Sequence, residues 1–373
     1  MRIALVHYSY SPVVGGVETV LQNHARIFAA AGHRVTVYCR EGSASEPGIE
    51  VQTIPTGSRG ADLLRQTLPE QDAVFVHNVL TMPFEPDWTE ALLNLAPQHP
   101  NTLWFSWVHD LAATNPHYTV PQDSALRKSP TGFRSIAISE HRAGEFLGLT
   151  GTPCAVIPNG IDPGGTLQLT PAVADLARNL GWFKRDWILL HPARMLPRKN
   201  IEFSLRTLRA LRSMGLDCVL LVTGAPDAQN PSHREYAAAL ERLRAELELQ
   251  QHAFFLHAFF EVSDADLSSL YALSDAVLFP SLQEGFGLPV LEAALHRVPL
   301  VCPDIPPLSE LLPEGGLRYP PGCAPGDLAC SLVALLAQKP QNLTRKRVLQ
   351  TYAWETVAER FLLPLLESKH PFA

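Results

Sequence analysis

The sequence predicts an α/β fold made of two tandem Rossmann-like domains, each with a doubly wound parallel sheet. Short apolar runs recur along the chain, and longer segments of helical period separate them. Continuous apolar runs joined by helices are typical of parallel strands that are buried on both faces. With 373 residues, 46% of them hydrophobic and 18% charged, the chain is globular in composition and long enough for two cores rather than one.

The first domain is expected over residues 1–165. A helix is predicted at 15–31, where the apolar positions follow the helical period and Gly32 ends the pattern. Residues 158–170 contain Pro163-Gly164-Gly165, which interrupts the alternation and predicts a linker. The predicted strands lie at 3–7, 34–39, 72–76, 103–108, 135–138 and 155–157.

The second domain is expected over residues 166–352, where the alternation starts again. Asn200 suits the N-cap of its first long helix and Gly215 the end of that helix. Such sheets bind ligands at the carboxyl ends of their strands, so two of them predict a site in an interdomain cleft. The predicted strands are 187–190, 218–223, 254–256, 276–279 and 300–301, and the helices are 200–214, 235–249, 266–273 and 289–296.

The most informative string is FPSLQEGFGLPVLEA, at residues 279–293. A strand leads into a glycine-containing loop, and a helix is expected to begin near Pro289, because proline suits the first helical turn. Gly285 and Gly287 let the backbone approach a ligand closely. The free N–H groups and positive dipole end of the following helix favour an anion at this position.

Two carboxylates belong to the same string. Glu284 lies on the loop, where it can accept hydrogen bonds from sugar hydroxyls, and Glu292 lies about one turn into the helix, where it can accept them from a ribose diol. The alternative is a capping carboxylate and a surface glutamate, which are common in first helical turns.

The string resembles the E-x7-E motif of retaining glycosyltransferases with the GT-B fold, and specifically of family four. The resemblance extends over most of the chain. It implies two Rossmann-like domains with the donor site in the cleft between them. The first domain, 1–165, would then bind the acceptor and the second, 166–352, the nucleotide-sugar. The C-terminal stretch, 353–373, would form a helix that returns to the first domain.

The resemblance also implies roles for particular residues. Arg194 and Lys199, after the first strand of the second domain, match the pair that contacts the donor diphosphate, and two fixed cations there would stabilise a leaving nucleotide. The alternative for this pair is a solvated loop. Gly15 and Gly16 match a glycine pair whose amides face the donor phosphates, and His109 matches a histidine near the reacting carbon. The implied catalytic residues are His109, Arg194, Lys199 and Glu284, and donor contacts are also implied for Gly285, Phe286, Gly287, Leu288 and Glu292.

The expected reaction is transfer of a hexosyl group from a UDP- or GDP-hexose to an acceptor hydroxyl with retention of configuration, without a metal or another cofactor. The acceptor is expected on loops 78–88 and 111–129 of the first domain. Thr223-Gly224-Ala225-Pro226 and Leu256-His257-Ala258-Phe259 depart from the family pattern near the expected base pocket, which leaves the nucleotide open.

Other functions stay open from the residues alone. A GT-B nucleotide-sugar epimerase or phosphorylase shares the architecture, and a non-catalytic nucleotide-sugar-binding module is the alternative of another class. A dinucleotide-dependent oxidoreductase is disfavoured, because no G-x-G-x-x-G string follows the first strand. Asp264-Ala265-Asp266 spells a metal motif, but Ser263 and Asp264 fit helix-cap positions better.

Charge and composition limit the partners. The formal net charge of −7 gives no global attraction to nucleic acid, and no apolar run reaches the length of a membrane span. The six cysteines form no C-x-x-C pair, which favours reduced thiols over disulfides or zinc ligands. We therefore expect a cytoplasmic protein. Peripheral association with the inner membrane face stays open.

Overall fold

The structure is a computed structural model that describes residues 1–43, 46–226, 231–311 and 316–367. Its internal contacts divide the chain into two compact units. The first unit comprises Met1–Gly160 together with the residues from Trp354 onward, and the second comprises Ile161–Ala353. These limits lie within a few residues of the positions 165 and 352 that the sequence suggested.

The first unit contains a seven-stranded parallel sheet. Its strands are β1 (Arg2–Val6), β2 (Arg34–Cys39), β3 (Ile49–Thr53), β4 (Ala73–His77), β5 (Leu103–Val108), β6 (Arg134–Ala137) and β7 (Ala155–Val156). Its first helices are α1 (Gly16–Ala30), α2 (Gly57–Thr67), α3 (Pro86–Gln98) and α4 (Glu140–Thr150), with short 3₁₀ turns at Leu68–Glu70 and Ala125–Arg127.

The strand order β3-β2-β1-β4-β5-β6-β7 reverses direction between β1 and β4. Alternate residues of each strand enter the cores on opposite faces of the sheet. Ile3 and Leu5 pack on one side, while Ala4 and Val6 pack on the other. This two-sided burial is the reason that the strands are continuously apolar.

The second unit repeats the plan with a six-stranded parallel sheet. Its strands are β8 (Trp187–His191), β9 (Cys218–Val222), β10 (Ala253–Phe255), β11 (Ala276–Leu278), β12 (Leu300–Pro303) and β13 (Leu317–Tyr319). Its helices are α5 (Pro163–Thr166), α6 (Pro171–Asn179), α7 (Ile201–Ser213), α8 (Pro231–Glu246), α9 (Asp264–Leu273), α10 (Leu288–Leu295), α11 (Leu308–Leu311), α12 (Pro325–Ala337) and α13 (Pro340–Tyr352), with 3₁₀ turns at Trp182–Lys184, Pro197–Lys199 and Leu256–Ala258.

Its order, β10-β9-β8-β11-β12-β13, reverses between β8 and β11. Ile188 and Leu190 belong to the core on one face, and Trp187 and Leu189 to the core on the other. The predicted fold of two doubly wound, Rossmann-like parallel sheets is thus confirmed.

Residues 354–367 pack with the first unit. Helix α14 (Trp354–Val357) continues through a π-helical turn, Ala358–Leu362, into α15 (Pro364–Glu367). Trp354 and Leu362 enter the core beside α1. A Cβ on Gly160 would lie 2.3 Å from the Trp354 ring, so only glycine lets the backbone pass this close to the indole.

The structure differs from the predictions at several local points. The expected linker at 158–170 contains α5, because Asp162 caps it by accepting hydrogen bonds from the amides of Gly164 and Gly165 at 3.0 and 3.1 Å. Asn200 does occupy the N-cap of α7, but in the left-handed conformation and without a side-chain cap. Strand β3 was not predicted, since polar residues alternate with apolar ones along it.

Among the described residues, no helix is both long and apolar enough to cross a membrane. All six cysteines are unpaired, and Cys39, Cys218 and Cys302 are buried.

Candidate functional site

The reversal in the second sheet brings together two of the predicted site residues. Strands β8 and β11 are neighbours, and the chain leaves their carboxyl ends in opposite directions along the sheet. Lys199 follows β8, and Glu284 follows β11. A doubly wound sheet opens a crevice at this point, where such folds bind ligands.

Glu284 and Lys199 form a close ion pair whose side chains are only 7% and 11% exposed. Arg198 Nη1 also lies 3.3 Å from the Glu284 carboxylate, although its own side chain is 48% exposed. Burial alone would raise the pKa of Glu284, but the hydrogen bond from Lys199 and the charges of Lys199 and Arg198 lower it further than burial raises it. The carboxylate is therefore ionised and held in place.

One backbone and one side-chain hydrogen bond join the loops that carry Lys199 and Glu284. The amide of Leu282 donates to the carbonyl of Arg198 at 2.8 Å, and Asn200 Nδ2 donates to the carbonyl of Pro280 at 3.2 Å. Lys199 Nζ lies 4.8 Å from the centre of the Phe279 ring, a cation–π distance. These contacts fix the lysine and the glutamate before any ligand arrives.

Arg194, on the loop after β8, is exposed between the buried neighbours Ala193 and Met195. Its backbone packs against Gly224, which follows β9 and whose amide donates to the carbonyl of Ala193 at 3.1 Å. A Cβ on Gly224 would lie 2.5 Å from Arg194 Cα and 2.6 Å from the Ala193 oxygen. Gly224, within the string that departs from the family pattern, thus allows the loops after β8 and β9 to touch.

Helix α10 begins after Gly287, which has a φ of +104° and no room for a Cβ beside Leu308. The flanking Gly285, Phe286 and Leu288 are exposed. Glu292, in the second turn, accepts a hydrogen bond from the buried Tyr271 hydroxyl at 2.7 Å. The structure therefore orients Glu292 through Tyr271 rather than through the Glu284 cluster.

The first unit carries its own polar cluster at the carboxyl end of β1. Gly15 precedes α1, and Glu18 folds back over it to accept a hydrogen bond from Ser9 Oγ at 2.5 Å, with His7 Nε2 at 3.8 Å. The interaction with His7 is the main cause that lowers the pKa of Glu18 to about 2. A Cβ on Gly15 would collide with Glu18, whereas Gly16 has open space around it. Neither Glu18 nor His7 was singled out from the sequence.

His109, after β5, is buried and lies against a second histidine that the sequence analysis missed. Its Nε2 is 3.0 Å from Nδ1 of His77, the last residue of β4. Burial lowers the pKa of His109 to about 3 and that of His77 well below its usual range, so both rings are neutral. Asn78 accepts the His109 amide at 2.9 Å, which fixes the strand end.

The hydrogen bonds assign the tautomers. His77 Nε2 is buried without a partner, and an unpaired buried N–H is the rarer arrangement in proteins. We therefore place the proton of His77 on Nδ1, where it is donated to Nε2 of His109. The proton of His109 then lies on Nδ1, which makes that atom a hydrogen-bond donor. Histidines stand at the ends of two successive strands, His77 at the end of β4 and His109 after β5. That pattern is the sequence signal that could have revealed this pair.

A cavity of about 480 Å³ opens beside this cluster in the first unit. Its lining combines acceptors such as Glu18 and Asp110 with donors such as Arg40, and Asn115 and Tyr118 come from the loop 111–129. That loop and the loop 78–88 are the two for which acceptor contacts were predicted, and both contribute to this lining.

The Asp264-Ala265-Asp266 string is a helix start. Ser263 accepts from the amide of Asp266, and the Asp266 carboxylate accepts from the amide of Ser263, which is a capping box. Within the described parts of the chain, no group of three or more His, Cys, Asp or Glu residues is arranged to hold a metal ion.

Comparison with known families now bears on this site. Residues 174–348 match the family model of glycosyl transferases group 1. We refer to this matched segment as the group 1 domain. This group 1 domain contains Arg194, Lys199, Glu284 and Glu292, and it occupies most of the second unit. The expected resemblance to glycosyltransferases is confirmed at this level, whereas membership of family four stays a prediction.

Curated relatives of the group 1 domain and of the whole chain are also recognisable. The serotype-specific mannosyltransferase WbdA of Escherichia coli is 34% identical over 175 residues, which is 46% of this chain and 20% of the relative. The chain thus spans about a fifth of that relative's length. The glycogen synthase of Mycobacterium tuberculosis is 25% identical over 407 aligned positions, which cover 96% of this chain and 92% of the relative.

Solved structures resemble the chain over its full length. The structure of Anabaena Alr3699/HepE in complex with UDP shares 20% identity at a TM-score of 0.39, and the alignment covers 99% of this chain and 100% of that one. A glycosyltransferase from Rickettsia africae shares 19% identity at a TM-score of 0.41, with 98% of each chain covered.

Proposed function

We propose that the chain transfers a hexosyl group from a nucleotide-sugar donor to an acceptor hydroxyl. The observation that carries the proposal is the buried Lys199–Glu284 pair, fixed at the switch point of a parallel sheet within a group 1 domain. A fixed cation next to a fixed carboxylate suits a ligand that joins an anionic diphosphate to a hydroxyl-rich sugar.

Lys199 and Glu284 would bind different parts of the donor. Lys199 has three N–H donors, so it can keep its bond to Glu284 and still donate to a diphosphate oxygen. Arg194 would add a second cation from an exposed position on the same loop. Glu284 retains acceptor capacity on its two oxygens for the hydroxyls of the transferred sugar. Glu292, oriented by Tyr271, would accept from the ribose of the nucleotide.

In the reaction, the bond between the anomeric carbon and the diphosphate oxygen breaks, and a bond from the acceptor oxygen to that carbon forms. The acceptor proton passes to the departing diphosphate, whose charge Arg194 and Lys199 stabilise. We propose retention of configuration and independence from metal ions, which follow from the resemblance to E-x7-E enzymes. Proton coupling of the anomeric position in the product measures the configuration directly.

The roles of Gly15, Gly16 and His109 remain part of the proposal. Gly15 and Gly16 lie at the start of α1, where free amides suit phosphate oxygens. The Nδ1 proton of His109 suits a sugar oxygen. For the donor sugar we give mannose first place, because relatives more than 30% identical over part of the chain are named mannosyltransferases.

The test is a donor panel of GDP-mannose, UDP-glucose, UDP-galactose and ADP-glucose, each with monosaccharide, polyol and alkyl glycoside acceptors. Mass spectrometry reads the gain of one hexose by an acceptor and the release of nucleoside diphosphate. We expect one donor to be consumed, with a loss of about 10²–10³ in rate for Lys199→Ala. The proposal is contradicted if the parent protein and Lys199→Ala consume every donor at equal rates. It is also contradicted if neither protein consumes any donor.

A further inference from the structure

The first unit has a second cavity next to the polar one and of opposite character. This groove of about 370 Å³ runs between one face of α3 and the segment 119–126, and Leu93, Val120, Ala125 and Leu126 are among its lining residues. Met82 lines both cavities. Each volume lies within the range of small-molecule sites, roughly 300–1,000 Å³.

The groove is built before a ligand arrives. Arg127 donates to the carbonyl of Val120 at 3.1 Å and to that of Pro121 at 3.1 Å, which holds the segment 119–126 in a closed turn. On the other wall, the Thr89 hydroxyl donates to the carbonyl of Val79 at 2.7 Å. Its proton is therefore not available to a ligand in the groove. The groove therefore offers mainly apolar contacts.

At the junction, aromatic rings separate the two environments. The half-exposed Phe84 packs edge-on against Tyr8 and Tyr118, with centroids 5.2 and 6.0 Å apart. Tyr8 is further held by donating its hydroxyl to the carbonyl of Met82 at 3.2 Å. The polar cavity lies on one side of this point, and on the other lies the mainly apolar groove, whose lining also includes Glu90 and Asn94.

We infer that the acceptor is amphiphilic, with a polyhydroxylated head in the polar cavity and an apolar chain in the groove. This inference rests on the proposed function only in calling the bound molecule an acceptor. Binding of such a molecule can be measured without turnover. The polar lining includes both acceptors, Glu18 and Asp110, and donors, Arg40 and Tyr118, which suits an uncharged sugar or polyol better than an anion. Because Met82 lines both cavities, the two halves of one ligand can occupy them side by side.

The experiment titrates the whole protein by calorimetry with methyl, butyl, hexyl and octyl β-glucosides and mannosides, all below the micelle concentration. Affinity is expected to rise with chain length, by up to about fourfold per methylene that enters the groove. Octanol alone is expected to bind far more weakly than the octyl glycoside. Equal affinity for methyl and octyl glycosides overturns the inference.

Variants locate the binding. Ala125→Trp places an indole from an exposed position into the groove and is expected to abolish the gain from chain length. Ala30→Trp, at an exposed alanine of α1 outside the groove lining, is the matched control and should keep it. Tyr118→Phe is expected to weaken methyl and octyl glycosides by the same factor, about 2–10-fold. A chain-length gain that survives Ala125→Trp contradicts the assignment, whether or not the donor panel shows transfer.

Discussion

Lys199 lies between the Glu284 carboxylate and the Phe279 ring, with 11% of its side chain exposed. Such a cation has lost most of its water before a ligand arrives, so its interaction with a developing phosphate charge is stronger than at an exposed site. The neighbouring Arg198 touches the same carboxylate from a half-exposed position, where solvent screens the charge. The two cations should therefore differ in their contribution.

We predict that Lys199→Ala lowers kcat about 10²–10³-fold, whereas Arg198→Ala lowers it less than about tenfold. Steady-state rates with the donor selected by the panel measure both, and the thermal midpoint of each variant checks folding. Near-normal turnover by Lys199→Ala would remove the leaving-group role.

A second residue-scale prediction concerns the His77–His109 pair. We expect the proton of His109 on Nδ1, and ¹⁵N NMR of the imidazole rings measures it. His77→Phe keeps the ring volume but removes the donor, so we expect the proton of His109 to redistribute and kcat to fall about tenfold. His24→Phe is the control, because the buried His24 ring lies next to His77 but makes no hydrogen bond to His109. It should leave the tautomer of His109 unchanged. An unchanged tautomer in His77→Phe would refute the assignment.

Acid stability follows from Glu18. Its folded pKa of about 2 lies below the ordinary value of 4.5, so the carboxylate stabilises the fold above pH 4.5 and loses that contribution as the pH falls towards 2. We predict that Glu18→Gln unfolds more easily than the parent protein at pH 7 and that the difference shrinks by pH 3. Urea midpoints at both pH values measure it. Glu50→Gln, at an exposed pair with Arg34, should change stability by less than about 0.5 kcal/mol.

At the scale of elements, the site depends on how closely the loops of the second sheet can pack. The loops after β8 and β9 meet at Gly224, and those after β8 and β11 meet at Asn200 and Pro280. Backbone atoms, unlike side-chain ends, cannot move aside without displacing the residues attached to them. The position of Arg194 is therefore set by a neighbouring loop as well as by its own.

We predict that Gly224→Ala weakens donor binding and lowers stability by about 2 kcal/mol, because its Cβ would meet the backbone of residues 193 and 194. Calorimetric titration with the donor and thermal unfolding measure the two effects. Gly326→Ala, on α12 of the same unit, meets nothing within 4 Å, so it should leave donor binding unchanged and should not lower stability. Equal behaviour of the two variants would show that the loop contact is unimportant.

At the scale of the whole molecule, the repeated strand order explains which features the sequence could predict. Strands buried on both faces are continuously apolar, and the predicted ranges 34–39 and 103–108 coincide with β2 and β5. The edge strand β3 alternates Ile49 and Val51 with polar residues, and the short edge strand β13 has the exposed Arg318 at its centre, so neither gives that signal.

The site shows the same division. Glycines and charges at strand ends could be recognised, because their positions relative to the sheet follow from the order of elements. The partners that orient them could not, since Tyr271 for Glu292 and His77 for His109 come from distant parts of the chain. Sequence patterns report local periodicity, whereas these contacts depend on tertiary packing.

The most direct measurement is a thermal shift of the full chain with UDP, GDP, ADP and NAD, compared between the parent protein and Lys199→Ala. A ligand that binds only the folded protein raises its midpoint by an amount that grows with the logarithm of the ligand concentration relative to its Kd. We predict a rise with one of the three nucleoside diphosphates that is largely lost in Lys199→Ala, and none with NAD. A rise with NAD alone, or one that Lys199→Ala leaves intact, would contradict a nucleotide-sugar site at the Lys199–Glu284 pair.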